Sequence, residues 1–98
     1  MSSHFVVRPE AEDDLASAFR WYESKSWGLG TEFLRAVDVC FTNVRRAPES
    51  YQELEPGVRR ARLRRFPYSV YYVSDDRGIT VLACLHWRRN PKEWMRRL

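Results

Sequence analysis

The chain has 98 residues, a formal net charge of +4, 44% hydrophobic and 31% charged side chains. That length holds one domain, 1–98, and the apolar fraction excludes a disordered chain. No apolar run approaches the roughly 18 residues of a membrane span. The start, Met1-Ser2-Ser3-His4-Phe5, lacks a basic region followed by an apolar stretch, so no secretory signal and a cytoplasmic location are expected.

In chain order, Phe5-Val6-Val7 is a short β-type run ended by Pro9, which suits the first turn of a helix. Glu10, Glu12, Asp13 and Asp14 complement the dipole of that helix. Ala11, Leu15, Ala18, Phe19 and Tyr22 give it one apolar face to about Ser24, although Arg8 is a poor N-cap. Gly28 and Gly30 mark a turn, and a second helix is expected from about Thr31 to Arg46 on the stripe Phe33, Val37, Cys40, Phe41 and Val44. A short loop between the two predicts an antiparallel helix pair.

Residues Glu49 to Gly57 read as polar and turn-like. Three strands are then expected: Val58 to Phe66, Tyr68 to Ser74, and Ile79 to Trp87, the last reached through the hairpin turn Asp75-Asp76-Arg77-Gly78. Asn90 reads as an N-cap with Pro91 at the first helical position, opening a short last helix that carries Trp94 to Leu98. The order is β-α-α-β-β-β plus a short C-terminal helix. This predicts an α+β fold with the antiparallel helix pair packed on a mostly antiparallel sheet.

The charge is unevenly spread. Residues 1–55 hold six basic and ten acidic side chains, a balance of −4, and residues 56–98 hold eleven basic and three acidic, a balance of +8. A basic half on a small domain suits a polyanionic partner, nucleic acid or an acidic protein segment. On the strand from Val58, alternation puts Arg60, Arg62 and Arg64 on one face, opposite Ala61 and Leu63. Such a row suits phosphates or carboxylates, or is a solvated face with acidic neighbours. Trp87 and Trp94 flank Arg88 and Arg89, a combination able to stack on bases, while Trp94 equally suits a residue that pins the tail to the sheet. Trp21, Tyr22 and Trp27 near the helical turn are candidates for a protein-binding surface.

Other chemistries find little support. His86 ends an apolar strand without an identifiable orienting carboxylate, so a structural role competes with one as acid or base. His4 and His86 are the two histidines, Cys40 and Cys84 lie far apart, and no acid stands at ligand spacing, so neither a metal nor another cofactor is expected. Both cysteines read as buried thiols. No phosphate-binding glycine loop and no Ser or Cys triad is recognisable.

Several ordered pieces resemble a known family. They are Pro9-Glu10-Ala11-Glu12-Asp13-Asp14-Leu15, the Phe33-based helix with Pro48 after it, Arg64-Arg65-Phe66-Pro67-Tyr68-Ser69-Val70-Tyr71-Tyr72, Ile79 to His86, and Arg89-Asn90-Pro91 with Trp94. Together they are similar to the ParE/RelE superfamily, the toxins of bacterial type II toxin–antitoxin (plasmid stabilisation) pairs. The resemblance implies one of two activities, ribosome-dependent mRNA cleavage in RelE-like members or DNA gyrase inhibition in ParE-like ones. RelE-like cleavage uses basic residues on the sheet with a Tyr or His-Tyr pair near the C-terminus. Arg60 and Arg62 match the basic positions approximately, but Trp87 rather than Tyr follows His86 and no Tyr follows Val81. Phe66-Pro67-Tyr68 and Arg89-Asn90-Pro91-x-x-Trp94 look more like the ParE branch, which usually has Asp where Asn90 stands.

The resemblance therefore implies a gyrase-binding toxin, not itself an enzyme, neutralised by an acidic ParD-like antitoxin. Trp21, Tyr22 and Trp27 would seat the antitoxin. Arg60, Arg62, Arg64, Arg88, Arg89 and Trp87 would meet the antitoxin or the target. The alternative is a RelE-like endoribonuclease acting on ribosome-bound mRNA, with His86 as its acid or base. A further alternative is an inactive relative that only pairs with its antitoxin.

Overall fold

A computed structural model describes residues 4–88 and 93–98. A first strand, β1 (His4–Val7), leads into helices α1 (Pro9–Lys25) and α2 (Leu29–Arg46). After a 3-10 turn at Pro48–Ser50 come β2 (Gln52–Glu55), β3 (Val58–Arg62), β4 (Tyr68–Asp75) and β5 (Gly78–His86), then a second 3-10 turn at Met95–Arg97. The strands form one sheet in the order β1-β5-β4-β3-β2. Only the β1–β5 pairing is parallel. The helix pair covers one face, so the α+β expectation holds.

The apolar stripes do what their period requires. Ala11, Ala18 and Tyr22 of α1 and Phe33, Val37, Cys40 and Val44 of α2 are buried against Ala61, Val70, Tyr72, Val81 and Cys84 of the sheet. Aromatic rings lock the end near the helical turn: Tyr22 stacks on Phe33 at 5.3 Å, and Phe66 meets both edge-on at 5.0 and 5.4 Å. The helices touch most closely at Gly30, where a Cβ would come within 2.8 Å of the Phe19 ring and backbone oxygen. α2 starts without a side-chain cap of its own. Glu23 of α1 supplies one, accepting from the Gly28 and Gly30 N–H groups at 2.9 Å each.

The other face carries a smaller apolar cluster of Val58, Tyr71, Leu82, Ala83 and Leu85, closed by Trp94. Trp94 stacks on Tyr71 with ring centroids 5.7 Å apart, so it does pin the tail to the sheet. A register shift between Tyr71 and Tyr72 lets Leu82 and Ala83 both join this cluster.

At the β1 edge, four residues of β1 lie beside nine of β5. Gly78 permits the approach of β1, since a Cβ there would meet the His4 backbone at 2.1 Å and its φ is +136°. β1 ends at Val7, and the Arg8 N–H bonds the Val81 carbonyl. Beyond that point side chains take over. Asp14 Oδ2 accepts the Cys84 N–H at 3.0 Å, and Arg97 Nη1 donates to the Leu82 carbonyl at 3.2 Å. Arg97 also grips Asp14 with both nitrogens, at 2.6 and 3.2 Å, and Arg8 Nη1 donates to the Arg97 carbonyl.

Three expectations need correction. The stretch read as turn-like contains β2, whose partner is reached through Pro56-Gly57; its register shifts between Glu53 and Glu55. The strand expected to reach Phe66 stops at Arg62, because Leu63 N–H bonds Tyr68 O and the chain turns back through Arg65, whose φ is +70°. Arg64 therefore leaves the strand for the hairpin loop. The tail between Met95 and Arg97 is one 3-10 turn rather than a helix through Leu98, and its expected cap at Asn90 and Pro91 lies outside the described residues.

Asp14→Ala leaves a guanidinium and the Cys84 N–H without their partner, and the pair is mostly buried, with side chains 13% and 18% exposed. The expected loss is about 3 kcal/mol, seen as a fall in Tm of roughly 12–24 °C in calorimetry. Asp14→Asn, which keeps an acceptor for Cys84, loses less. A second outcome concerns alkaline pH. Burial pushes the Cys40 thiol from 9.0 up to about 11 and the Tyr72 phenol from 10.0 up to about 12. The folded chain keeps these protons after the unfolded chain releases them, so the contribution of these two groups is fully present below about pH 9 and is lost as pH rises to about 12. Urea titrations at pH 8, 10 and 11 check this, and Tyr72→Phe should flatten the upper part of the fall.

Candidate functional site

Two grooves and one sheet face hold the residues of interest. The first groove, of about 500 Å³, lies between α1 and the ends of β4 and β5. Ser17, Trp21, Tyr68, Leu85 and His86 line it, with Asp14 at its side. His86 sits edge-on to Tyr68 at 5.3 Å, and its Nδ1 accepts the Arg88 N–H at 3.0 Å. The carboxylate of this groove, Asp14, is held by Arg97 and the Cys84 N–H. Burial pushes the Cys84 thiol up, so it stays protonated.

The second groove, of about 550 Å³, lies between α2 and the chain that leaves β3. Ala36, Val39, Cys40 and Phe66 line its apolar part, and Arg35, Arg62, Arg64 and Arg65 border it. Its one acid, Glu32, faces Arg65 at 3.4 Å in a pair with side chains 50% and 79% exposed, which water screens. This groove is apolar inside and positive at its border.

The remaining site residues lie on the sheet face away from the helices. Register settles this: Arg60 pairs with Tyr71, and Tyr71 with Ala83, while Arg62 pairs with Ser69, and Ser69 with Leu85. Tyr71, Ala83 and Leu85 belong to the Trp94 cluster. Arg60 Nη2 donates to Gln52 Oε1 at 2.7 Å. The Arg62 guanidinium lies 5.4 Å from the ring centre of Trp87, which is 57% exposed. Arg88 is exposed beside Trp87. The Ser69 hydroxyl is buried with no hydrogen-bond partner among the described residues.

His86 pairs with Tyr68, on the helix-covered face. It is thus on the opposite side of the sheet from Arg60 and Arg62, and the structure does not bring acid–base and phosphate-holding groups together around one substrate. Arg64 stands apart from Arg60, in the hairpin loop at the second groove, whose border Arg62 also reaches. Arg89 lies outside the described residues. Among the aromatic candidates, Trp27 is 94% exposed and Trp21 54%, with Lys25 Nζ 5.0 Å from the Trp21 ring. Tyr22 is a correction: at 8% exposure it is a core residue stacked on Phe33, not a surface anchor.

Sequence reading missed Asp14, Glu23 and Arg97. Asp14 was one of four acids near a helix start, and Arg97 one of several tail arginines. Nothing local marks which of them finds a buried partner. Arg59 Nη1 reaches across to the Tyr51 and Glu49 carbonyls at 2.7 and 3.3 Å, so it braces the 3-10 turn. Among the described residues no group of three or more His, Cys, Asp or Glu gathers as metal ligands. No helix among them is long and apolar enough to cross a membrane.

Comparison with known proteins gives three concordant findings. The family profile described as the ParE toxin of the type II toxin–antitoxin system parDE matches residues 5–91. Toxin ParE2 of Mycobacterium tuberculosis, in strains CDC 1551 and H37Rv, is 30% identical over 92 residues, covering 93% of this chain and 88% of the relative. The fold matches a chain of the chromosomal ParDE toxin–antitoxin system from P. aeruginosa with a TM-score of 0.75 at 16% identity, covering 86% of this chain and 95% of that one. Matched along nearly its whole length in sequence and in fold, the chain belongs to the ParE toxin family and is a toxin of the type II, ParDE class.

Proposed function

We propose that this toxin inhibits DNA gyrase and is neutralised by a cognate ParD-like antitoxin that lays an acidic, amphipathic segment in the groove between α2 and β3. Family membership supports the gyrase target. The observation that carries the antitoxin seat is the second groove, where Arg35, Arg64 and Arg65 border Ala36, Val39 and Phe66. A segment with apolar residues on one side and carboxylates at its margins satisfies both features. Trp21, at the first groove, and Trp27, at the turn between the helices, are exposed and would offer the antitoxin a second contact on the helix pair. Arg60, Arg88 and Trp87 remain outside the second groove, Arg62 stands at its border with its guanidinium against Trp87, and we assign their face to the target. No observation favours ribosome-dependent cleavage, because His86 and the Arg60–Arg62 pair occupy opposite faces.

Purified toxin added in micromolar excess to gyrase and plasmid should block supercoiling and accumulate cleaved DNA. Untouched supercoiling and cleavage would reject the gyrase target, and unimpaired growth on expression without antitoxin would point to an inactive relative. The double substitution Arg35→Glu and Arg64→Glu places like charge against the acidic segment, and calorimetric titration should show antitoxin binding about 100-fold weaker. Arg60→Glu, on the other face, should leave that affinity within about twofold of the native value. Equal losses from both would move the antitoxin out of this groove.

A further inference from the structure

We infer that the face bearing Arg60, Arg62 and Trp87 binds an unpaired stretch of polynucleotide, stacking a base on Trp87 and holding its phosphates with the arginines. This rests on assigning that face to the target, but it names a chemistry that gyrase inhibition does not require.

The first observation is the aromatic surface. Trp87 is more than half exposed at the end of β5, whereas Trp94 on the same side is buried on Tyr71. Packing therefore explains Trp94 and not Trp87. The Trp87 ring meets the Arg62 guanidinium, 5.4 Å from the ring centre. An indole beside a guanidinium is the pairing that receives a base on its flat side and a phosphate at its margin.

The second observation is the charge and its spacing. Arg60 and Arg62 are two residues apart on one strand, so their Cα atoms lie about 6.7 Å apart on the same face. That is close to the separation of successive phosphates in an extended single strand. Arg88 follows Trp87 directly and is exposed. Within β3, β4 and β5, the one acid on this face is Asp75, six residues along β4 from Ser69 and so roughly 20 Å away. Asp75 is also occupied, accepting the Arg77 N–H at 2.8 Å. The end of the sheet near Trp87 thus has no carboxylate of its own strands beside it, and the tail acid next to Trp94, Glu93, is paired with Arg96 at 2.9 Å.

The third observation is what this face lacks. The apolar cluster of this face is closed by Trp94, and beside it Arg60 is partly exposed while Arg62, Trp87 and Arg88 are exposed. A flat, open, cationic surface with a single ring suits unpaired bases, whose planes are exposed, and not a duplex, whose bases are stacked on one another.

The test is fluorescence anisotropy with labelled 12-mers of oligothymidine and oligouridine, read against a duplex of equal length, on the purified full chain without gyrase. Either single strand should bind more tightly than the duplex, and the two arms tell DNA from RNA. The affinity should fall with salt at a log–log slope of about −2, that of three phosphate contacts on a single strand. Trp87→Ala should weaken binding at least about fivefold, with Trp87→Phe restoring part of it. Arg62→Gln should lower the slope by about 0.7, while Arg77→Gln, equal in charge but at the other end of the sheet, should leave the affinity within twofold. No binding of either strand, equal binding of the duplex, or indifference to Trp87→Ala would overturn the inference. A protein contact as the sole use of Trp87 would show as the first of these. Because gyrase is absent, failure here leaves the supercoiling assay to judge the target separately.

Discussion

The uncovered edge of β5 is the constraint around which this small fold is organised. β5 is a central strand for part of its length and an edge strand for the rest, because β1 pairs with it only as far as Val81. Backbone groups past that point must be satisfied in some other way or remain open to pairing with other chains. A carboxylate from α1 and a guanidinium from the last residues of the tail meet there, each serving both the other and the strand. One interaction thereby joins the first helix, the sheet and the C-terminal tail. The other edge is managed differently: β2 is four residues long, irregular in register and carries Glu53 and Glu55, which discourage strand addition.

That arrangement has a functional consequence. With Trp94 stacked on Tyr71 and the tail fastened by Arg97, the face away from the helices is closed over that cluster, and among the described residues Arg60, Arg62 and Trp87 lie on its open part. The helix side offers the basic groove between α2 and β3. The +8 of the second half is therefore not one patch. Arg97 pairs with Asp14, Arg96 with Glu93, Arg65 with Glu32, and Arg59 with backbone carbonyls. What remains among the described residues divides between two sides of the sheet, so the proposed function has a separate surface to assign to a neutralising partner and to a target.

Much of this was legible in the chain itself. The stripes of α1 and α2, the Asp75–Gly78 hairpin and the alternation in β4 and β5 are local patterns, each repeated often enough to identify the element. The elements that escaped are the ones whose pattern is short or interrupted. β2 has a single apolar residue, Leu54, and its clue was the Pro56-Gly57 turn rather than its own composition. Arginine alternation alone could not locate the end of β3, because a strand ends where its partner ends, at the Arg62–Ser69 pair.

Sequence by itself determined the fold class, the family and the existence of a basic half, because periodicity, motif order and charge are properties of neighbours along the chain. Tertiary structure alone decided which face each charge occupies and which charges are already spoken for. Arg60 and Arg64 look equivalent four residues apart, and Asp14 looks like its acidic neighbours. Only the register of β3 against β4, the turn at Arg65 and the long reach of Arg97 to Asp14 separate them, and those are contacts between residues far apart in sequence.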